Sequence, residues 1–179
     1  MNLRVLLLFL LIIGPFFLGL NIPLSYSQQP TPFGQKIVYE LPYPGLTPDS
    51  PFYWMKSVRD MCTDFFTRDL LKKSELYLHL SDKRIAMAIT LAKQGKNKLA
   101  ISTVKEAEEL AAKIPNLFVE SKKQGANPSG ELISRVKLSA EKHKELIEEL
   151  KRTLPQGEAE LLQSALDLNQ KTESDLKRF

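Results

Sequence analysis

The sequence predicts an all-α fold: an up-down antiparallel bundle of four to five helices with an N-terminal extended proline-rich arm. Three observations lead there. No strand-period alternation of useful length follows residue 40. Apolar residues recur at three- and four-residue spacing through successive segments between Pro51 and Leu176. The connectors between those segments are short and marked by glycine or proline, which makes consecutive helices antiparallel neighbours.

The chain opens with a different kind of sequence. Arg4 precedes an apolar run from Val5 to Leu20, followed by Pro23 and the small residues Ser25 and Ser27. This is the pattern of a secretory signal, and the run is short for a span of roughly 20 residues. Residues 1–27 are therefore expected to be a signal peptide cleaved after Ser27, and the mature chain to be exported. Failed cleavage would leave the run as a membrane anchor. Residues 28–38 are polar and Pro/Gly-containing, as expected of a flexible tether. Residues 39–179 form the expected helical bundle domain, of which 39–50 are the arm.

In the arm, Pro42, Pro44 and Pro48 fix their own φ and keep the preceding residues extended, with a turn at Pro44-Gly45. Asp49-Ser50-Pro51 reads as a helix start, with Ser50 or Asp49 as N-cap. The first helix then runs to about Phe66. Trp54, Val58, Met61, Cys62 and Phe65 share one face, expected to be buried on the longer helices. Cys62 is the single cysteine, which excludes an internal disulfide, and its place on that face reads as a small buried hydrophobe.

Thr67 is the expected N-cap of a second helix, whose stripe includes Leu70, Leu71, Ser74, Tyr77, Leu78, Ile85, Ala88, Ile89 and Ala92, with Gly95 as its stop. Asn97 is the expected cap of a third, carrying Leu99, Ala100, Thr103, Val104, Ala107, Leu110, Ala111 and Ile114. Pro115 kinks or breaks it, and Leu117-Phe118 resume toward Gly125. A fourth helix begins near Ser129 with Leu132, Val136, Ser139, His143, Leu146, Ile147, Leu150 and Leu154 on one face, and Pro155 closes it. The fifth carries Leu161, Leu162, Ala165, Leu168, Thr172 and Leu176, supported by Asp167/Lys171 and Glu173/Lys177 pairs.

Two blocks of the sequence are similar to a known family. One is Leu41-Pro42-Tyr43-Pro44-Gly45-Leu46, Pro48-Asp49-Ser50-Pro51, Tyr53 and then Lys56-x-x-Arg59-Asp60. The other is Lys72-Lys73-Ser74-Glu75-Leu76-Tyr77-Leu78, followed by Ser81-Asp82-Lys83-Arg84-Ile85. Together they resemble the exported bacterial helical domains of the domain-of-unknown-function 5667 family, over roughly residues 39–150. The resemblance implies an extracytoplasmic helical domain and brings no activity and no catalytic residue. It marks Tyr43, Pro44, Gly45, Pro48, Asp49, Pro51, Tyr53, Trp54, Arg59, Asp82 and Arg84 as the structural motif.

The formal charge of +4, or +3 once residues 1–27 and their one basic residue are removed, demands neither nucleic acid nor an anionic membrane. Lys122-Lys123 and Lys142/Lys144 lack the interleaved aromatics of a nucleic-acid surface, so no nucleic acid is expected. There is no G-x-S-x-G, Walker loop or G-x-G-x-x-G. Glu108-Glu109 and Glu148-Glu149 read as solvated helix surface. Glu75, His79 and Asp82 lie at i, i+4 and i+7 and are the candidate metal ligands, with His143 able to join if the second and fourth helices touch. Arg59 is expected to pair with Glu75 or Asp82. The functional expectation is a non-enzymatic exported module, without cofactor, that binds an unidentified protein or envelope component. The alternative is a metal or small-ligand binding bundle.

Overall fold

The computed structural model describes residues 39–179; the expected signal peptide (1–27) and tether (28–38) lie outside the described residues. The fold is all-α, with no strand among the described residues. Its helices are α1 (Tyr53–Phe66), α2 (Leu70–Lys93), α3 (Asn97–Ala111), α4 (Ile114–Lys123), α5 (Gly130–Thr153), the short α6 (Gln156–Ala159) and α7 (Gln163–Leu176), with a 3₁₀ turn at Glu160–Leu162. None is long and apolar enough to cross a membrane.

Four columns build the bundle: α2, the broken pair α3/α4, α5, and α7. Pro115 occupies the first turn of α4 and causes the break, because its nitrogen has no hydrogen to donate back to α3. Successive columns alternate in direction, as the short connectors require. Around the ring, α2 touches α3/α4 and α5, and α7 touches α3 and α5. The link from α4 to α5 therefore crosses the end of the bundle diagonally.

The helix ends follow local chemistry, with shifts of one or two residues from expectation. Gly95 takes φ +73, and the amides of Lys96 and Gly95 turn back to the carbonyls of Leu91 and Ala92. This closes α2 with the six-to-one and five-to-two bonds of a left-handed cap. Ser129 Oγ accepts from Leu132 N and caps α5 as expected. Asp69, not Thr67, caps α2, its carboxylate accepting from Leu71 N and Lys72 N at 2.9 and 3.0 Å. Asn97 does not cap α3; it is the first helical residue and reaches Glu158 instead. Pro51 lies in a turn before α1, which starts two residues later than expected. Asp69→Ala should cost about 1 kcal/mol, read by urea unfolding, because it orphans two amides of the first turn of α2.

The interior is not a single apolar mass. Ile85, Ala88, Leu91, Ala100, Val104, Ile147, Leu150, Leu162 and Leu166 fill one end. Tyr77, Leu78, Ile114, Phe118, Leu132, Val136 and Leu176 fill the other. Between these layers, every column contributes buried polar groups: Ser81 and Asp82, Glu108, Ser139 and His143, Asn169 and Thr172.

The first helix departs most from expectation. Its stripe is amphipathic as read, but no residue of α1 is buried. Trp54 is 64 % exposed and Phe65 73 %, and Val58, Met61 and Cys62 are exposed with them. The half-buried positions are Tyr53, Lys56, Asp60 and Asp64, spaced three, four and four apart on the opposite face. The helix thus lies on α2 through its polar side, and its apolar side faces outward. The physical reason is that this polar face has partners: Asp64 pairs with Lys73 of α2 at 3.2 Å, and Lys56 Nζ lies 3.5 Å from Met87 Sδ.

Candidate functional site

Two features concentrate chemistry: the polar layer in the core and the arm with α1 on the surface. The polar layer forms because four stripe positions carry polar side chains. Asp82 comes four residues after Leu78 and three before Ile85. Glu108 comes four after Val104 and three before Ala111. His143 precedes Ile147 by four, and Asn169 follows Ala165 by four. Helical spacing turns each of them inward with its apolar neighbours.

There they converge. His143 Nδ1 lies 2.8 Å from Glu108 Oε1, and Nε2 lies 2.9 Å from Asp82 Oδ1. Ser139 Oγ donates to the same Asp82 oxygen at 2.6 Å, and the Tyr39 hydroxyl donates to Asp82 Oδ2 at 2.6 Å. Asn169 Nδ2 donates to Glu108 Oε2 at 3.0 Å and to the Ala140 carbonyl at 3.1 Å. His143, Glu108 and Asn169 are 0 % exposed and Asp82 is 4 %. Burial alone would push the His143 imidazole down; the Glu108 and Asp82 carboxylates together outweigh it and hold the ring up at about 9. At neutral pH the ring is an imidazolium donating to both carboxylates. Hydroxyl and amide donors from Tyr39, Ser139 and Asn169 spread the remaining negative charge.

This arrangement holds a proton and five segments of chain in one register. Every one of its side chains is buried. Tyr39→Phe removes the hydrogen bond from the arm to Asp82. Because the acceptor is a carboxylate, the loss should be about 1.5–3 kcal/mol by urea unfolding.

The sequence-derived metal set does not assemble. Asp82 points into the core, Glu75 is exposed, and half-buried His79 stays on the surface side of α2. Burial, with Lys83 nearby, holds the His79 ring below its ordinary range. Among the described residues, no group of three His, Cys, Asp or Glu side chains is arranged to hold a metal. His143 does meet Asp82, but each ring nitrogen is taken by a carboxylate, so it has none to offer an ion. Glu108 was expected on the solvated surface and is fully buried, while Glu109 is exposed. The available signal was its stripe position between Val104 and Ala111.

In the arm, Gly45 takes φ +67, a conformation that side chains resist. The Pro44 and Leu46 carbonyls on either side of it both accept from Lys56 Nζ, at 3.3 Å each. The same ammonium lies 5.6 Å from the Tyr53 ring centre. Burial brings Lys56 down to about 8, with Asp60 opposing. Asp49 accepts from Thr47 and from Lys96 in the α2–α3 turn. Pro48 is half-buried, and Tyr43 and Pro51 are exposed. Arg59 does not reach Glu75 or Asp82; it pairs with its neighbour Asp60 at 2.7 Å, because the α1 position it holds faces away from α2. Arg84 pairs with Glu106 of α3 at 3.4 Å. Lys56, Asp49 and Tyr39 thus fasten the arm to α1, to the α2–α3 turn and to the polar layer.

No curated protein and no solved structure matches the chain. One family does, over more than half of the sequence. Its matched span includes Asp82, Glu108 and His143 but stops short of Tyr39 and Asn169, the two ends of the polar layer. With residues 45–157 matching the sequence model described as Domain of unknown function (DUF5667), the chain belongs to that family.

Proposed function

We propose that the chain is a non-enzymatic, exported helical-bundle module that binds a protein partner through the outward face of α1. The observation that carries this reading is the inverted placement of α1. A helix that turns its polar side to its own bundle and presents Trp54, Met55, Val58, Met61, Phe65 and Phe66 outward has an apolar face left uncovered among the described residues. Two further points support it. The set of titratable groups that converges in the core is closed to solvent, so it serves the fold. The N-terminal run of the sequence fits export.

A protein fits that face better than lipid does. Helices that lie in a bilayer surface carry a cationic polar face. The charged side chains of α1 are Lys56, Arg59, Asp60 and Asp64, which sum to zero, and Lys56 is committed to the arm. The test is site-specific photocrosslinking of the full chain in its producing cells, with a benzophenone side chain at Met61 and controls at exposed Lys98 and Leu161. A protein adduct from Met61 alone is expected. No adduct, or equal adducts from all three positions, would remove the reading.

A further inference from the structure

We infer that the partner of α1 is a second copy of this chain, the two α1 faces meeting seam to seam about a twofold axis. The inference rests on the reading of α1 as a protein-binding face and names its occupant. Three features of the face favour a copy of itself.

The first is spacing. Trp54, Val58, Met61 and Phe65 follow one another at four, three and four residues, the repeat by which two helices interlock side chains along a seam. The second is area. Phe52, Trp54, Met55, Val58, Met61, Phe65 and Phe66 are each 45 % exposed or more. At the size of such side chains this amounts to on the order of 800 Å² of apolar surface, above what a monomer ordinarily leaves open and close to one partner's share of a standard interface. The third is charge. The four charged side chains of α1 cancel, so the two helices meet without a local excess of like charge, and none of the four lies in the seam. A twofold pairing also closes on itself. Each copy's face is covered once and no growing end remains.

Cys62 lies at the edge of the seam, is exposed in the single chain, and is the chain's one thiol. It reports on the contact without added labels. The experiment uses the chain as isolated from its producing cells, with its N-terminus defined by mass spectrometry. Light scattering after size exclusion should give twice the single-chain mass at micromolar concentration. Phe65→Glu should return the single mass with an unchanged helical circular dichroism spectrum, while Leu161→Glu, at an exposed apolar residue outside α1, should leave the double mass. Maleimide labelling of Cys62 should slow several-fold as concentration rises, and Phe65→Glu should abolish that dependence.

A single mass at all concentrations would overturn the inference, as would a double mass that survives Phe65→Glu. So would a single-mass chain that floats with phosphatidylethanolamine–phosphatidylglycerol vesicles and loses that binding in Phe65→Glu; the face would then belong to lipid. If the mass is single but Met61 still crosslinks to a different protein, the second copy is excluded and α1 remains a protein-binding face. If no adduct forms at all, both readings fall together.

Discussion

His143→Leu is expected to lower the unfolding free energy by about 3–5 kcal/mol. The loss comes less from the missing ring than from what stays behind. Asp82 and Glu108 would face each other across a sealed layer with no cation between them, and Tyr39, Ser139 and Asn169 cannot supply a charge. For a domain of this length the melting temperature should fall on the order of 10 °C. Adding Asp82→Asn and Glu108→Gln to His143→Leu should recover much of the loss, because neutral amides need no counter-charge. Urea and thermal unfolding of the chain and the two variants decide it. A His143→Leu chain within about 1 kcal/mol of the original would show that the layer is not organised around the imidazolium.

The second large effect is on pH dependence. The folded His143 ring titrates at about 9, against an ordinary value of 6.5. The folded state therefore binds the proton more tightly than the unfolded chain does. Its contribution is fully present below about pH 6.5 and is lost as pH rises through about 9, amounting to about 3 kcal/mol across that window. Lys56 acts in the opposite direction. Burial lowers its folded value from 10.5 to about 8, so its charged form costs stability that is recovered as pH rises from about 8 toward 10.5, though solvent screens a half-exposed ammonium. The clearest decline should thus fall between about pH 6.5 and 8, in melting curves across that range. His143→Leu should flatten it. A stability that rises with pH in the original chain would contradict the charge assignment.

Much of this fold was legible in the residues. Gly95, Pro115, Ser129 and Pro155 each act at or beside a helix end where their backbone chemistry places them. The stripes of α2, α3 and α5 were readable because three- and four-residue spacing leaves little choice of face. What the stripe could not convey is which face a short helix turns inward when both sides have something to offer. In α1 the apolar side looked destined for the core, yet Lys56 and Asp64 found partners on the arm and α2, and the aromatics were left outside. Likewise, Glu108 beside Glu109 looked like solvated surface because adjacent acids on a helix are common there. Its inward position needed a cation, and that cation sits on α5, 35 residues along the chain. Pairings at that distance are set by how columns are arranged around the ring, which local spacing does not encode. The metal expectation failed for the same reason. Spacing on α2 aligned Glu75, His79 and Asp82, but α5 and the arm cover that face only at Asp82, whose carboxylate bonds to His143, Ser139 and Tyr39 while Glu75 stays exposed.

The reach of the polar layer also bears on how this domain can be cut. A fragment trimmed to residues 45–157 keeps both acids and the imidazole but drops the phenol that covers one end and the carboxamide that covers the other. It also discards Leu162 of the 3₁₀ turn and Ala165, Leu166 and Leu176 of α7, which line both apolar layers. Water would enter from two directions and hydrate the charged groups directly. A fragment meant to keep the layer intact accordingly has to reach beyond the matched stretch, from Tyr39 through the end of α7.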